Sequence, residues 1–165
     1  MYNNFVSINM NLDDGLKIIN TNKFINNILL YKPDSVNYLV KDYWATLKET
    51  LSKLSGDCED YAIAKYFTLI NLGISSTDLA LLYCKYLSMH HIVLAYFGCE
   101  YSNPVILDNS TDIISSIRDR KDLVPIFYFD DTNIFTISDN GAHKILGSSL
   151  RLKNWKGVME RHGQD

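Results

Sequence analysis

An apolar run that follows a short polar turn constrains the fold of this chain more than any other feature. Ser55-Gly56-Asp57 suits a loop or a helix N-cap, and residues 58–72 then stay apolar on most faces. Gly73 follows, and glycine suits the left-handed position at which helices end. The sequence therefore predicts a buried central helix that begins at about Cys58 and ends at Gly73.

Other segments also place apolar residues at helical spacing. The spacing between Leu16 and Ile28, before the break at Pro33-Asp34, predicts two short N-terminal helices. The segment 43–54 predicts a further helix ahead of the central one. The segment 151–161 predicts a partly amphipathic terminal helix whose role is packing.

The character of the chain changes after Gly73. Short runs rich in β-branched, aromatic and aliphatic residues predict strands at 79–86, 91–97, 105–107, 123–129 and 133–137. The short turns between them favour antiparallel neighbours over crossover connections. The chain has 165 residues, 47% of them hydrophobic, which is enough for one core. We predict a single domain, 1–165, of the α+β class.

Charge and hydropathy argue against several function classes. A net charge of −3 and a pI near 5.8 give no electrostatic reason to expect nucleic acid or an anionic membrane as partner. No stretch approaches the roughly 20 apolar residues that a membrane-spanning helix needs. The start of the chain lacks a basic segment followed by an apolar one, so we expect no export signal in these residues.

The position of Cys58 at a helix start suits a nucleophilic thiol. The attacking species is the thiolate, and a free thiol with a pKa of about 8.5 is mostly protonated at neutral pH. A helix N-terminus offers about half a positive charge and free backbone N–H groups, and a nearby imidazolium offers a full charge. A histidine on a neighbouring strand would complete such a site.

Two histidines and one carboxylate are candidate partners of Cys58. Alternation along the predicted strand puts His90 and His91 on opposite faces, so we expect only one of them to face Cys58. Asp108, at the end of the next strand, is predicted to accept a hydrogen bond from histidine Nδ1–H and fix its tautomer. Structural roles compete, because a cysteine at a helix start is usually a small buried hydrophobe and Asp108-Asn109 is a common turn pair.

The remaining cysteines and one tryptophan have open roles. Three cysteines are too few for a disulfide scaffold and match no zinc spacing. Cys84 and Cys99 are either buried thiols or, in an oxidising compartment, a disulfide. Trp44 either lines the cleft near Cys58 or, as we favour, packs in the core.

Several ordered motifs surround these candidates: 56–62, 65–69, 91–96 and 107–109, with 42–46 upstream and 120–125 downstream. In this order they resemble the bacterial transglutaminase-like cysteine proteinases, the LapG family. The match runs from about residue 41 to residue 155. The resemblance implies a papain-like or transglutaminase-like fold, with the catalytic cysteine at the start of a central helix packed on an antiparallel sheet.

The resemblance also implies an activity and its residues. Cys58 is the nucleophile, His91 the general base and acid, and Asp108 the orienting carboxylate. The resemblance implies a calcium-dependent protease of the periplasm. Such a protease cleaves a large surface adhesin near the N-terminus of the adhesin and so releases cells from biofilm. An inner-membrane receptor for cyclic di-GMP sequesters such a protease. The resemblance assigns calcium binding to Asp57 and Glu59.

The calcium assignment has a separate physical reason. Asp57, Glu59 and Asp60 crowd a thiol whose active form is itself negative, and uncompensated carboxylates raise the pKa of a thiol. A bound divalent cation would reverse that effect, and carboxylate oxygens are ligands that calcium prefers. The alternative is that the helix dipole simply favours acidic residues in a first turn.

Two other classes of function stay open. A transglutaminase-like acyltransferase or amidase would use the same triad to move an acyl group to an amine. A catalytically inactive, calcium-dependent binding module would keep the fold and recognise a receptor or an adhesin. The absence of an export signal means either that these residues lack the natural leader, which we favour, or that this member works in the cytoplasm.

Overall fold

Helices come first in the chain and a sheet follows, in a computed structural model that describes residues 1–98, 103–138 and 141–164. The helices of this part of the chain are α1 (Tyr2–Asn9), α2 (Asp14–Ile28), α3 (Asp34–Asn37), α4 (Leu47–Lys53), α5 (Cys58–Asn71) and α6 (Lys153–His162). Its strands are β1 (Leu30–Tyr31), β2 (Ser55–Gly56), β3 (Leu79–Tyr86), β4 (Met89–Tyr96), β5 (Val105–Asp108), β6 (Thr111–Ser116), β7 (Leu123–Phe129), β8 (Asn133–Ile137) and β9 (His143–Ser148). The predicted α+β class is confirmed.

The main sheet is antiparallel throughout, with strand order β6-β5-β4-β3-β7-β8-β9. Strands β3 and β4 form its centre and pair along their whole length, from Leu79 opposite Tyr96 to Tyr86 opposite Met89. The pairing of β4 with β5 is shorter and runs from Tyr96 only as far as Leu94. The first half of β4, which carries both histidines, therefore extends beyond its registered pairing with β5.

Helix α5 is the central element that the sequence predicts. It begins at Cys58, and most of its residues as far as Leu69 are buried. Gly73 follows with φ of 87°, the left-handed conformation expected of a glycine that ends a helix. The apolar side chains of α5 pack against one face of the sheet, in a core that also contains Ile25 and Trp155. A second apolar cluster, which includes Cys84 and Phe97, covers the opposite face.

The segment 43–46 is not helical, so the predicted helix over 43–54 is wrong in its first residues. Thr46 caps α4 instead: its hydroxyl accepts a hydrogen bond from Glu49 N–H, and the Glu49 carboxylate accepts one from Thr46 N–H. This reciprocal capping starts the helix at Leu47. Ahead of the cap, Tyr43 N–H donates to the side chain of Asp34, and that bond holds the segment extended.

The terminal helix packs as predicted. Trp155 of α6 is fully buried, and its Nε1–H donates to the carbonyl of Asp130 at 2.9 Å. Arg161, further along α6, donates to the carbonyl of Trp44. Helix α6 therefore supports the segment that precedes α4. Among the described residues, no helix combines the length and the apolar character required to cross a membrane.

Candidate active site

The start of α5 lies beside the first half of β4, which extends past the pairing with β5. Cys58, Glu59, His90 and His91 line one cavity of about 210 Å³, together with Asp42, Trp44, Tyr83 and Ile92. The Ile92 backbone N–H is close enough to the sulfur to act on the pKa of Cys58. The structure thus brings the predicted thiol and the predicted histidine to the same cavity.

His91 and Asp108 form a buried pair. The His91 Nε2 atom lies 2.9 Å from Asp108 Oδ1, and the side chain of Asp108 is completely buried. We predicted a bond from Nδ1, and this is wrong: the ring turns Nε2 toward the carboxylate. An ionised carboxylate only accepts, so Nε2 carries the proton and Nδ1 is left free of this bond. Burial alone would raise the pKa of Asp108, but its hydrogen bonds to His91, Ser110 N–H and Arg120 hold it well below the usual range.

Alternation along β4 is as predicted, with Ile92 in one apolar cluster and Val93 in the other, yet His90 and His91 both line the cavity. The ring of exposed His90 stacks on Tyr83 at 5.2 Å between centroids, while buried His91 reaches Asp108. Both reach the cavity because it lies where β4 extends past its pairing with β5.

Carboxylates crowd the thiol. The Cys58 thiol donates to Glu59 Oε2 at 3.1 Å. Burial raises the pKa of Cys58, and the charges of Glu59 and Asp57 raise it further, while the Ile92 N–H opposes them. Burial and these carboxylates therefore favour the protonated thiol over the thiolate.

The predicted metal ligands gather with a third carboxylate that the sequence did not indicate. Oxygens of Asp34, Asp57 and Glu59 all lie within 4.8 Å of one another. Burial, followed by the charge of Glu59, raises the pKa of Asp57 to about 8, and burial raises the pKa of Asp34 as well. Asp34 Oδ1 and Asp57 Oδ1 are buried and have no hydrogen-bond partner among the described residues. Hard, crowded carboxylates, two of which have such an unpartnered oxygen, fit a divalent cation such as calcium.

An aromatic groove continues from the cavity. Trp44 and Tyr83 line both the cavity and a neighbouring groove of about 350 Å³, whose other walls include Phe127 and Leu152. The Tyr83 and Phe127 rings stack at 5.1 Å between centroids. Trp44 is half-buried and does both: it packs against the core, with its ring 5.8 Å from that of buried Phe129, and it lines the cleft.

One of the other two cysteines falls within the described residues. Cys84 is a free, buried thiol whose sulfur donates to the carbonyl of His91 at 3.4 Å. Cys99, the other half of the disulfide considered above, falls outside the described residues.

Sequence reasoning also missed Arg120. Its motif was noted, but nothing in the spacing indicated that its guanidinium would reach Asp108, which it does at 2.7 Å. Asp34 was visible only as part of the break after α2. Both residues come from elements that precede or follow the motif residues by long stretches of chain, and only the tertiary fold joins them.

A helix that starts with a thiol, packed on an antiparallel sheet that carries a His–Asp pair, defines the class of papain-like and transglutaminase-like cysteine proteases. Residues 3–121 match the family of bacterial transglutaminase-like cysteine proteinases, and the chain belongs to this family. It is a cysteine protease, and its class of substrate is protein.

Solved structures agree with this assignment. The EGTA-treated LapG of Legionella pneumophila has 29% sequence identity and a TM-score of 0.84, over 97% of this chain and 85% of that chain. The calcium-bound LapG of the same organism has 29% identity and a TM-score of 0.83, over 98% of this chain and 87% of that chain. No curated protein matches the chain significantly in sequence. The expected family and fold are confirmed.

Proposed function

We propose that this protein is a calcium-dependent cysteine endopeptidase that cleaves the N-terminal region of a large surface adhesin and so promotes release from biofilm. The single observation that carries the peptidase part is the cavity shared by Cys58 and His91, with His91 bonded to Asp108 at 2.9 Å. These three residues are the proposed catalytic triad.

The proposed reaction is acyl transfer to water. His91 takes the thiol proton at Nδ1, and the Cys58 sulfur attacks the peptide carbonyl carbon. Backbone N–H groups at the start of α5 stabilise the oxyanion, since the first N–H groups of a helix have no intrahelical acceptor. His91 then protonates the leaving amine, and water hydrolyses the thioester with His91 as base. Asp108 keeps the second ring nitrogen protonated throughout.

Calcium is the proposed cofactor, with Asp34, Asp57 and Glu59 as its side-chain ligands. Its supporting observations are that oxygens of these three carboxylates lie within 4.8 Å of one another, and that Asp34 and Asp57 each have a buried oxygen with no hydrogen-bond partner among the described residues. When bound, the ion supplies positive charge beside Cys58 and offsets the carboxylates that disfavour the thiolate. LapG of Legionella pneumophila has been solved in a calcium-bound form, which supports the same ligand here.

An extended peptide is the proposed form of the substrate. The cavity at Cys58 continues through Trp44 and Tyr83 into the aromatic groove, so a bound chain can pass the thiol and lie along the sheet. The motif resemblance supports an adhesin as the substrate, a periplasmic location and sequestration by an inner-membrane receptor for cyclic di-GMP.

The test is cleavage of N-terminal adhesin fragments from the same organism, followed by mass spectrometry. We expect wild type with calcium to cut at one site, and Cys58→Ala and His91→Ala to leave the fragment intact. Two matched controls exist: His90→Ala removes the neighbouring ring from the same cavity, and Cys84→Ser removes a thiol outside it. Both should retain cleavage.

Other outcomes separate the alternatives. Cleavage by Cys58→Ala would refute thiol catalysis. An adduct with an added amine, in place of a free acid, would indicate an acyltransferase. Unchanged cleavage and thermal stability in a chelator would refute the calcium assignment.

A further inference from the structure

The side chain of Arg120 is enclosed behind the proposed triad. It lies in the loop between β6 and β7, and only 10% of its side chain is exposed. Its Nη2 donates to Asp108 Oδ2 at 2.7 Å. Its Nε and Nη2 also donate to the Asp122 carboxylate, at 2.9 Å and 2.7 Å to the closer oxygens. Asp122 therefore fixes the guanidinium, and the guanidinium contacts Asp108.

The two oxygens of Asp108 have separate partners. Oδ1 lies 2.9 Å from His91 Nε2 and accepts from Ser110 N–H at 3.0 Å, while Oδ2 receives Arg120. Rotation of the carboxylate would break bonds on both oxygens at once. In a fully buried group such unpaired oxygens are costly, so the carboxylate is held in one orientation.

That orientation determines which nitrogen of His91 can act as a base. Nε2 is the His91 nitrogen that donates a hydrogen bond to Oδ1, so His91 keeps the tautomer whose Nδ1 is free for the thiol. A carboxylate that turned toward another donor would release Nε2, and the ring would sample the other tautomer. The orientation and the tautomer of the His91 ring thus depend on the hydrogen bond from Arg120 to Asp108.

We propose that Arg120 is a positioning residue of the active site, which orients Asp108 so that His91 presents an unprotonated Nδ1 to Cys58. The proposal rests on the peptidase function inferred above. Arg120 acts through Asp108 and does not touch the reacting atoms. Its effect should fall on the chemical step and leave substrate binding nearly unchanged.

The test compares Arg120→Met, which keeps an unbranched stem but removes the guanidinium, with Arg120→Lys, which keeps the charge. Lys121→Met is the matched control, because it removes one positive charge from an exposed neighbour in the same loop. We expect Arg120→Met to lower kcat about 10- to 100-fold with KM changed less than about threefold. Arg120→Lys should recover part of kcat, and Lys121→Met should match wild type.

A measurement made without substrate distinguishes a positioning role of Arg120 from a loss of the fold. The ¹⁵N chemical shifts of His91 report its tautomer, and wild type should show the proton on Nε2. Arg120→Met should show a mixture of tautomers or a reversal, while Arg120→Lys should shift back toward wild type. Because Lys can keep the buried ion pair, this variant decides the question if Arg120→Met fails to fold.

Two results would overturn the proposal. One is a wild-type tautomer in both Arg120 variants; the other is a kcat equal to that of Lys121→Met. If wild type itself cleaves no peptide, the peptidase function fails, whereas the tautomer measurement still decides the role of Arg120.

Discussion

Lys65 should make the stability of this protein rise with pH. The residue lies in α5, is completely buried, and its Nζ has no hydrogen-bond partner among the described residues. Burial lowers the pKa of its ammonium group from 10.5 to about 7, although the charges of Asp108 and Asp112 favour the protonated form. An isolated buried ammonium group destabilises the folded state, and replacing it with an apolar side chain removes that cost.

The size of the effect follows from proton linkage. Between pH 7 and pH 10.5 the unfolded chain holds a proton on Lys65 that the folded chain has released. The free energy of unfolding therefore rises with pH across this window, by about 1.4 kcal/mol per pH unit from this group. Below about pH 7 both states are protonated, and the destabilisation is complete and constant.

Lys65→Met should abolish this contribution. We expect the variant to be more stable than wild type at pH 7, and its advantage to shrink by about 2–3 kcal/mol between pH 7 and pH 9. Urea unfolding at several pH values measures the difference directly, and other titrating groups cancel between the two proteins. Lys85→Met, which changes an exposed lysine on β3, should track wild type at every pH.

Two outcomes would refute this reasoning. One is a Lys65→Met variant less stable than wild type at pH 7, which would mean that the lysine gains more from Asp108 and Asp112 than burial costs. The other is a difference between the two proteins that does not change with pH.

Three further predictions concern the metal cluster and the elements around α5. Asp34→Asn should reduce the rise in melting temperature that calcium produces, since it removes a charged ligand; an unchanged rise would exclude Asp34 from the site. Gly56→Ala should destabilise the protein by about 1–3 kcal/mol in urea unfolding, because its Cβ would lie 2.5 Å from Asp60 Cβ; a wild-type midpoint would show that the loop can move. Thr46→Ala breaks the capping box with Glu49 and should cost about 1 kcal/mol, measured the same way, and no loss would mean that the cap is dispensable.

The central elements could be predicted from sequence because burial fixes their pattern. Helix α5 is buried on most faces, and β3, β4, β5, β7 and β8 carry the apolar runs that the sequence shows. The missed strands of the main sheet, β6 and β9, are its two edges. Neither strand has a fully buried residue, so selection for a core leaves little periodicity in them.

Residues of the site could be predicted where a local element or motif marks them. They could not be predicted where the fold brings together elements that are distant in the chain. The helix start indicated Cys58 and the family motifs indicated His91 and Asp108; the fold brings Cys58 and His91 to one cavity and pairs His91 with Asp108. Asp34 and Arg120 reach the site from α3 and from the loop after β6, and no local pattern records those approaches. Whether Nε2 or Nδ1 of His91 bonds Asp108 depends on the orientation of the ring, which the sequence does not determine.

The extended segment 43–46, before α4, connects the acidic cluster with the cavity that Cys58 lines. The side chain of Asp34 accepts from Tyr43 N–H, and that of Asp60 accepts from Ala45 N–H at 2.8 Å, so carboxylates anchor the backbone on either side of Trp44. Trp44 forms a wall of the cleft, and Asp34 belongs to the acidic cluster. The proposed calcium ligand Asp34 is thus also an anchor of the segment that carries Trp44, so an ion bound there would be connected through this segment to a wall of the cavity.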